Sequence, residues 1–348
     1  MLKKHYGTVI IGAGPAGLAC ALSLRRLGIT DVLAAERYVF PRDKCCAGYI
    51  TGKTKKKYAS YGLDAEECGY SFIDDFRLFF HYREKQKIKN RFLYTGRSIN
   101  RVELDDAFFR LAKAQGVEAA EGMCLTAHDA EAHTVTFNGN ITVGYDKLVF
   151  ADGTLGFGSR YQKTKSKNIA MQLIFPSELP DGIGIHFGVS RRGYGWVSTH
   201  RGITNVGLTD VYDKKVDYTA LFRGFLDRLG IERDTSGLYG SFTPIGVRKP
   251  VIGDVYFVGD ALGACDPFTL SGLRYGLDSG EAAARSSAES DPRVIRRFAS
   301  GLSVKFAVSR IIQRLFYLKP VAFLVFNVGC TCFSFVIRFF FDRFLNKK

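Results

Sequence analysis

Tryptophan occurs once in 348 residues, methionine three times and proline nine times. So little proline, with a mean hydropathy of −0.02, argues against a Pro-rich or multi-span membrane protein. Histidine is scarce too: the six residues are scattered, and no His/Cys/Asp/Glu cluster has metal-ligand spacing, so a metal centre has no support. A Ser-His-Asp arrangement and a paired-carboxylate motif are also missing, which leaves covalent hydrolysis without candidates. The eight cysteines, at 20, 45, 46, 68, 124, 265, 330 and 332, include no Cys-x-x-Cys pair. They are too sparse in a chain this long for a disulfide framework. Met1-Leu-Lys-Lys runs straight into a strand-like segment, with no room for a signal peptide. A reducing, cytoplasmic compartment is the expectation. Acidic residues are outnumbered, 34 against 49 Lys and Arg, for a net charge of +15. Zinc-finger spacing and RNA-binding aromatic signatures are lacking, so nucleic acid is not the expected partner.

What remains is a folded chain: 46% hydrophobic, 24% charged and 14% aromatic, with 29 Phe and 17 Tyr. Its length suits one large domain with an insert, or two domains. The positive charge is uneven. Residues 291–348 hold eleven Lys/Arg and two Asp/Glu, beside the most apolar run of the sequence. That pairing suits an anionic membrane surface.

The first forty residues carry the clearest chemistry. An apolar strand, Tyr6 to Ile11, leads into Gly12, Ala13, Gly14, Pro15, Ala16 and Gly17, then a helical run to Leu27. Gly28 stops the helix. A second strand, Asp31 to Ala35, ends in Glu36, twenty-four residues after Gly12. This is the complete strand, glycine turn, helix, strand and acid unit that binds dinucleotides. Gly12 permits the turn, Gly14 lets backbone approach a pyrophosphate, and Gly17 lets helix and strand pack closely. The helix N-terminus meets phosphate with free N–H groups, and Glu36 suits a ribose diol. Arg37 and Lys44 join Ala13 and Ala16 as candidate cofactor contacts. NAD and FAD share this unit, so it cannot choose between them. Lys53, Lys55, Lys56 and Lys57 read as a solvated basic helix face.

Three distant stretches narrow the choice. Asn100-Arg101 to Asp105 opens a helix running from Asp106 to Gln115. The strand Lys147 to Ala151 ends in Asp152-Gly153. A second such strand, Val255 to Val258, ends in Gly259-Asp260 and leads through Pro267 to Gly272 and Leu273, where another helix begins. An acid at a strand's C-terminal edge lies where open α/β sheets bind ligands, so Asp260 can hold a ribityl hydroxyl. Helix N–H groups near Gly272 can face a partly negative ring oxygen.

Together these segments resemble the glutathione-reductase-type FAD fold in its hydroxylase-like branch, and more closely the geranylgeranyl reductase family. Phe40-Pro41-Arg42-Asp43-Lys44-Cys45-Cys46-Ala47-Gly48 is similar to that family's Pro-x-x-Lys-x-Cys-Gly-Gly stretch. Gly193-Tyr194-Gly195-Trp196 is similar to its Tyr-x-Trp motif. The resemblance covers residues 1–290 in order. It implies FAD, with Arg101, Asp152, Gly259, Asp260, Pro267, Gly272 and Leu273 among its contacts. It implies hydride delivery from reduced flavin to one alkene carbon of a polyprenyl lipid, while a proton reaches the other. Cys46 would stand beside the reacting bond as the catalytic candidate, or else be a small packed residue in a turn. Tyr194 and Trp196, two apart on one strand, share a face and would wall an isoprenoid pocket or belong to ordinary sheet core. There are departures. Ala47 replaces the first glycine of the Cys-Gly-Gly pair, and Val197-Ser198 stands where an aromatic and a proline are usual. The Ser and Arg expected after Asp152-Gly153 are displaced, with Ser159-Arg160 nearest.

The expected architecture is α/β. Residues 1–69, 97–165 and 245–290 form a Rossmann-type FAD-binding domain. Residues 70–96 and 166–244 form an antiparallel substrate domain, with short strands at Phe76–His81, Asn168–Phe175, Gly184–Val189, Tyr194–Thr199 and Thr204–Val211 and a helix over Tyr218–Leu229. Residues 291–348 form a basic, apolar helical tail. Pro320 to Ile337 holds 18 uncharged residues, roughly 27 Å as a helix against a hydrocarbon core of ~30 Å. Asn327, Gly329, Thr331 and Ser334 weaken it as a span. Helices lying on the inner membrane face through 303–348 are favoured over a buried lid or a true span. The function expected is FAD-dependent reduction of carbon–carbon double bonds in a geranylgeranyl-type lipid. A second glycine-turn motif is missing, which argues against a dedicated NAD(P)H domain. A ferredoxin or transient NADPH contact would then supply electrons. An oxygen-using hydroxylase and a membrane-docked flavoprotein without reductase activity remain as alternatives. A halogenase is disfavoured, since one Trp cannot form a Trp-x-Trp motif.

Overall fold

The computed structural model describes residues 2–64, 68, 71–72, 75–89, 97–98, 101–163 and 166–329. Its larger sheet runs in the order Val251–Ile252, Val255–Phe257, Ile141–Phe150, His5–Ile11, Val32–Ala35, Glu118–Ala120. The four pairings from Val255–Phe257 to Glu118–Ala120 are parallel. An antiparallel hairpin, Leu125–Asp129 with Thr134–Phe137, hangs from Ile141–Phe150. The central strand buries Tyr6, Val9 and Ile10 completely, as a parallel strand covered on both faces must. On one face lie helices α1 (Pro15–Arg26), α2 (Gly52–Tyr61) and α3 (Arg101–Ala114), with α5 (Leu273–Ala288) beside α1; α4 (Tyr218–Leu229) belongs to the second sheet. A Cβ at Gly280 would stand 2.2 Å from the Ala16 carbonyl oxygen, so α5 can lie this close to α1 only with glycine there. The opposite face is covered by α6 (Arg293–Phe316) through Ala299, Leu302 and Phe306.

The second sheet runs Tyr239–Pro244, Lys167–Pro176, Ile203–Val211, Tyr194–His200, Gly182–Phe187, Asp75–Phe80, Arg83–Lys89. It is antiparallel except where Gly182–Phe187 pairs parallel with Asp75–Phe80. Phe222, Phe225 and Leu226 of α4 pack on Leu173, Val206 and Leu208, closing one face. The other face looks toward residues 43–48. A small third sheet, Tyr49–Ile50, Arg97–Ser98, Ser71–Phe72, joins the two regions.

Some expectations move. α3 begins at Arg101, not Asp106, because Arg101 and Asp105 form an i,i+4 ion pair inside its first turns. The basic face of α2 is not solvated as read: Lys57 binds Asp278 and Glu281 of α5, and only Lys56 of the four lysines is exposed. The third expected substrate-domain strand shifts to Gly182–Phe187, since Gly188 turns the chain at φ +78°. The C-terminal segment is helical through α6 and α7 (Lys319–Leu324), with a π-turn at Val325–Gly329. The remainder of the expected tail, with Thr331, Ser334 and Ile337, lies outside the described residues. No helix among the described residues is long and apolar enough to cross a membrane.

Candidate functional site

The glycine turn follows strand His5–Ile11 directly. Gly12 sits at φ +102°, and a Cβ there would meet the Ala151 carbonyl oxygen at 2.6 Å, so the position demands glycine. α1 then starts from Gly14 with no side-chain cap and no acid in its first turn. Its leading N–H groups are left for an anion. A Cβ on Gly14 would touch only the Arg42 Nη2, at 3.3 Å. The space above the turn is thus open backbone roofed by a cation. Arg42 is largely buried. It lies 3.2 Å from Asp105 Oδ2 and 3.9 Å from Glu36 Oε2, and its Nε–H finds no hydrogen-bond acceptor among the described residues. A buried guanidinium with an unused N–H beside a helix N-terminus fits a pyrophosphate.

The predicted cofactor residues divide into two groups. Glu36 stands at the turn, buried, accepting from Ala13 N–H at 3.0 Å and Tyr38 N–H at 3.2 Å. Lys44 Nζ meets Asp260 Oδ2 at 3.3 Å and lies 3.9 Å from a Gly153 Cβ position. Gly259 (φ +58°) packs its Cα side on Ala16, tying the second acid-bearing strand to the turn. α5 starts from Gly272 and Leu273, again without a side-chain cap or an acid in its first turn. Three other candidates are engaged elsewhere. Arg101 is buried in a bidentate pair with Asp105, at 2.9 and 2.8 Å. Arg37 is exposed and stacks over Tyr38. Asp152 turns into the loop after it, where Gly158 N–H donates to its Oδ2 at 2.8 Å. Burial pushes the Asp152 carboxyl up to about 6, against that hydrogen bond and nearby Arg37 and Arg248.

Cys46 is held by the second sheet. Its N–H donates to Gln172 Oε1 at 2.9 Å, and its carbonyl accepts from Asn205 Nδ2 at 3.0 Å. The same Asn205 accepts from Trp196 Nε1 at 2.9 Å, and Gln172 Nε2 donates to the Tyr239 hydroxyl. One polar network therefore clamps the turn onto the sheet. Trp196, almost fully buried, passes so close to Gly207 that a Cβ there would stand 2.0 Å from its ring. Cys46, half-buried like Cys45, accepts the Gly48 N–H at its thiol at 3.5 Å. The neighbouring Cys45 thiol points into the sheet toward the Ala170 carbonyl, and burial pushes it up to about 12. Tyr194 donates to the Thr269 carbonyl at 2.8 Å. The Pro267 carbonyl accepts from Asn168 and from Gln313 of α6. The loop 265–272 thus spans from sheet to α6.

Sequence reasoning missed Arg42, Gln172 and Asn205. Arg42 lies inside the stretch that resembles the cysteine turn, and a buried-cation signal was unreadable there. Gln172 and Asn205 lie in strands that also carry Asn168, Thr204, Thr209 and Asp210, so nothing in the sequence singled them out.

Residues 6–167 match the family model described as pyridine nucleotide-disulphide oxidoreductase. The chain is similar to an uncharacterized protein of Methanosarcina barkeri, 29% identical, covering 89% of this chain and 80% of that one. It is also similar to a menaquinone reductase of Mycobacterium tuberculosis, 26% identical over 79% and 75% of the two chains. The fold matches a geranylgeranyl bacteriochlorophyll reductase-like structure from Thermoplasma acidophilum, with TM-score 0.78 and 16% identity over 98% and 96%. It likewise matches an FAD-bound HpxO variant of Klebsiella pneumoniae, with TM-score 0.76 and 14% identity over 98% of each chain. The chain has the fold of FAD-binding oxidoreductases. Its cofactor is FAD. In the flavoprotein, the open turn at Gly14, the uncapped start of α1 and Arg42 would hold the pyrophosphate, and Glu36 the ribose.

Proposed function

We propose that this flavoprotein reduces carbon–carbon double bonds of a polyprenyl lipid, such as a geranylgeranyl-bearing one. The observation that carries this reading is the Cys46 turn, pinned by Gln172 and Asn205 on the sheet face opposite α4. Further along the same sheet, Phe76, Leu78 and Ile183 are buried, with Tyr49, Ile185 and Phe187 packed against them. An apolar, aromatic lining of this kind is what a long hydrocarbon chain needs. The mycobacterial relatives are named for menaquinone and one structural neighbour for geranylgeranyl bacteriochlorophyll, both prenyl-bearing lipids.

FAD, once reduced by a ferredoxin or by NADPH, supplies hydride. The chain's own residues do the rest. The sheet face orients the prenyl chain and excludes water from it. Cys46 carries a proton at Sγ beside the site, for the alkene carbon that does not receive hydride. Gln172 and Asn205 hold the Cys46 backbone so that the thiol has one place to be. One alkene, one hydride and one proton give one saturated bond.

The test is anaerobic photoreduction of the flavoprotein, followed by stopped-flow mixing with a geranylgeranyl lipid or with oxygen. Reoxidation by lipid without oxygen is the expected result. Reoxidation that needs both substrate and oxygen would make the protein a hydroxylase. No response to lipid under either condition would leave it a flavoprotein without this activity.

A further inference from the structure

We propose that the outward face of α6, continued by α7, docks the flavoprotein on an anionic lipid bilayer. This goes beyond the reduction chemistry and does not depend on it.

α6 has two apolar faces. Its inward face buries Ile295, Ala299, Leu302 and Phe306. Diametrically opposite, at helical spacing, are Val304, Val308, Ile311 and Leu315, which are 68%, 50%, 56% and 52% exposed. A helix on a protein surface ordinarily turns its charged side outward, and one that is apolar on both sides seeks a second apolar partner. Leu318, Phe323 and Leu324 carry the exposed surface on through α7.

The charges around this stripe name the partner. Between Arg293 and Leu324 there are seven Lys/Arg and no Asp/Glu. An apolar ridge rimmed by cations complements acyl chains below and anionic headgroups around it. A second copy of the same face would bring cations against cations. Residues 330–348 carry four Lys/Arg and one Asp, so they too would bring like charge to the ridge.

The same helix reaches the candidate site through its other side. Ser309 Oγ donates to Asp266 Oδ1 at 2.9 Å, Gln313 Nε2 to the Pro267 carbonyl at 3.0 Å, and Tyr317 to the Gly193 carbonyl at 2.7 Å. Phe316 and Phe326 pack edge-on and tilted against Phe187 of the substrate sheet. Docking by the ridge would therefore set the site one helix diameter, about 10 Å, above the bilayer.

The experiment is flotation of the full-length, FAD-loaded protein with vesicles of phosphatidylcholine alone or mixed with phosphatidylglycerol. It is repeated with Val304→Gln/Ile311→Gln/Leu315→Gln. Gln keeps helix propensity, and flavin absorbance with the melting midpoint reports folding. The unaltered protein should float with anionic vesicles, and less so at high salt. The triple variant should bind at least tenfold more weakly with its flavin and melting midpoint retained. A full-length protein that ignores anionic vesicles overturns the proposal. So does a variant that binds as tightly as the unaltered chain, which would move docking to another surface such as residues 330–348. A dimer that the variant dissociates, without vesicle binding, would make the ridge a self-association face and also overturn it. None of these readouts uses lipid reduction, so the proposed chemistry stands or falls separately.

Discussion

Two adjacent cysteines occupy different environments. The Cys45 thiol points into the sheet, while Cys46, equally half-buried, sits on a turn fixed at both its N–H and its carbonyl. Cys46→Ser keeps the size and the Gly48 contact but lowers acidity. It should leave FAD content and the melting midpoint unchanged and slow lipid-dependent reoxidation at least tenfold, about 1.4 kcal/mol of barrier. Cys45→Ser should do much less, and equal small effects would reduce Cys46 to packing. Asp152 allows a second test, on the FAD-free protein. Burial raises its folded carboxyl from the ordinary 3.8 to about 6, so the folded chain keeps this proton to higher pH than the unfolded one. Its contribution to stability is complete below about pH 4 and is lost as pH rises through about 6, by roughly 3 kcal/mol. Asp152→Asn has no proton to lose. Denaturant titrations should show the variant gaining on the unaltered protein across that window, and parallel curves would contradict the assignment.

At the scale of elements, legibility followed contiguity. The glycine turn, α1 and Glu36 could be read because their chemistry lies within one stretch of sequence, where each residue's spacing has a local physical reason. The helix over Tyr218–Leu229 was legible for the same reason: Asp217 caps it and Gly230 ends it. Gln172 and Asn205 were not, because their function exists only once strand register brings them together under a turn some 126 residues away from Gln172. Lys57 was misread because its partners, Asp278 and Glu281, belong to a helix near the other end of the chain. The element-scale prediction concerns the start of α1. Gly14→Val adds a branched side chain that meets only the flexible end of Arg42 in the protein itself. It should therefore abolish FAD binding while leaving the far-ultraviolet circular dichroism unchanged. Tight FAD binding by this variant would move the pyrophosphate away from the turn.

For the whole molecule, a parallel sheet carrying the cofactor turn and a largely antiparallel sheet carrying an apolar face meet at residues 43–48, and α6 bridges both from the far side. At that junction Cys46 is held by Gln172 and Asn205 of the second sheet, while Lys44 reaches Asp260 beside the first. The flavin fold was recognisable from sequence because the glycine turn, Glu36 and the Gly259-Asp260 strand end each lie in a local motif. The prenyl-lipid reading rests on the junction itself, which no local motif encodes. The measurement that bears on it most directly is the product formed when the photoreduced flavoprotein meets a geranylgeranyl lipid in deuterated water without oxygen. Mass spectrometry should find a saturated bond that has gained two deuterons, one delivered as hydride from solvent-exchanged flavin and one as a proton. Lipid recovered unchanged, or altered only when oxygen is admitted and then by an added oxygen atom, would contradict the account.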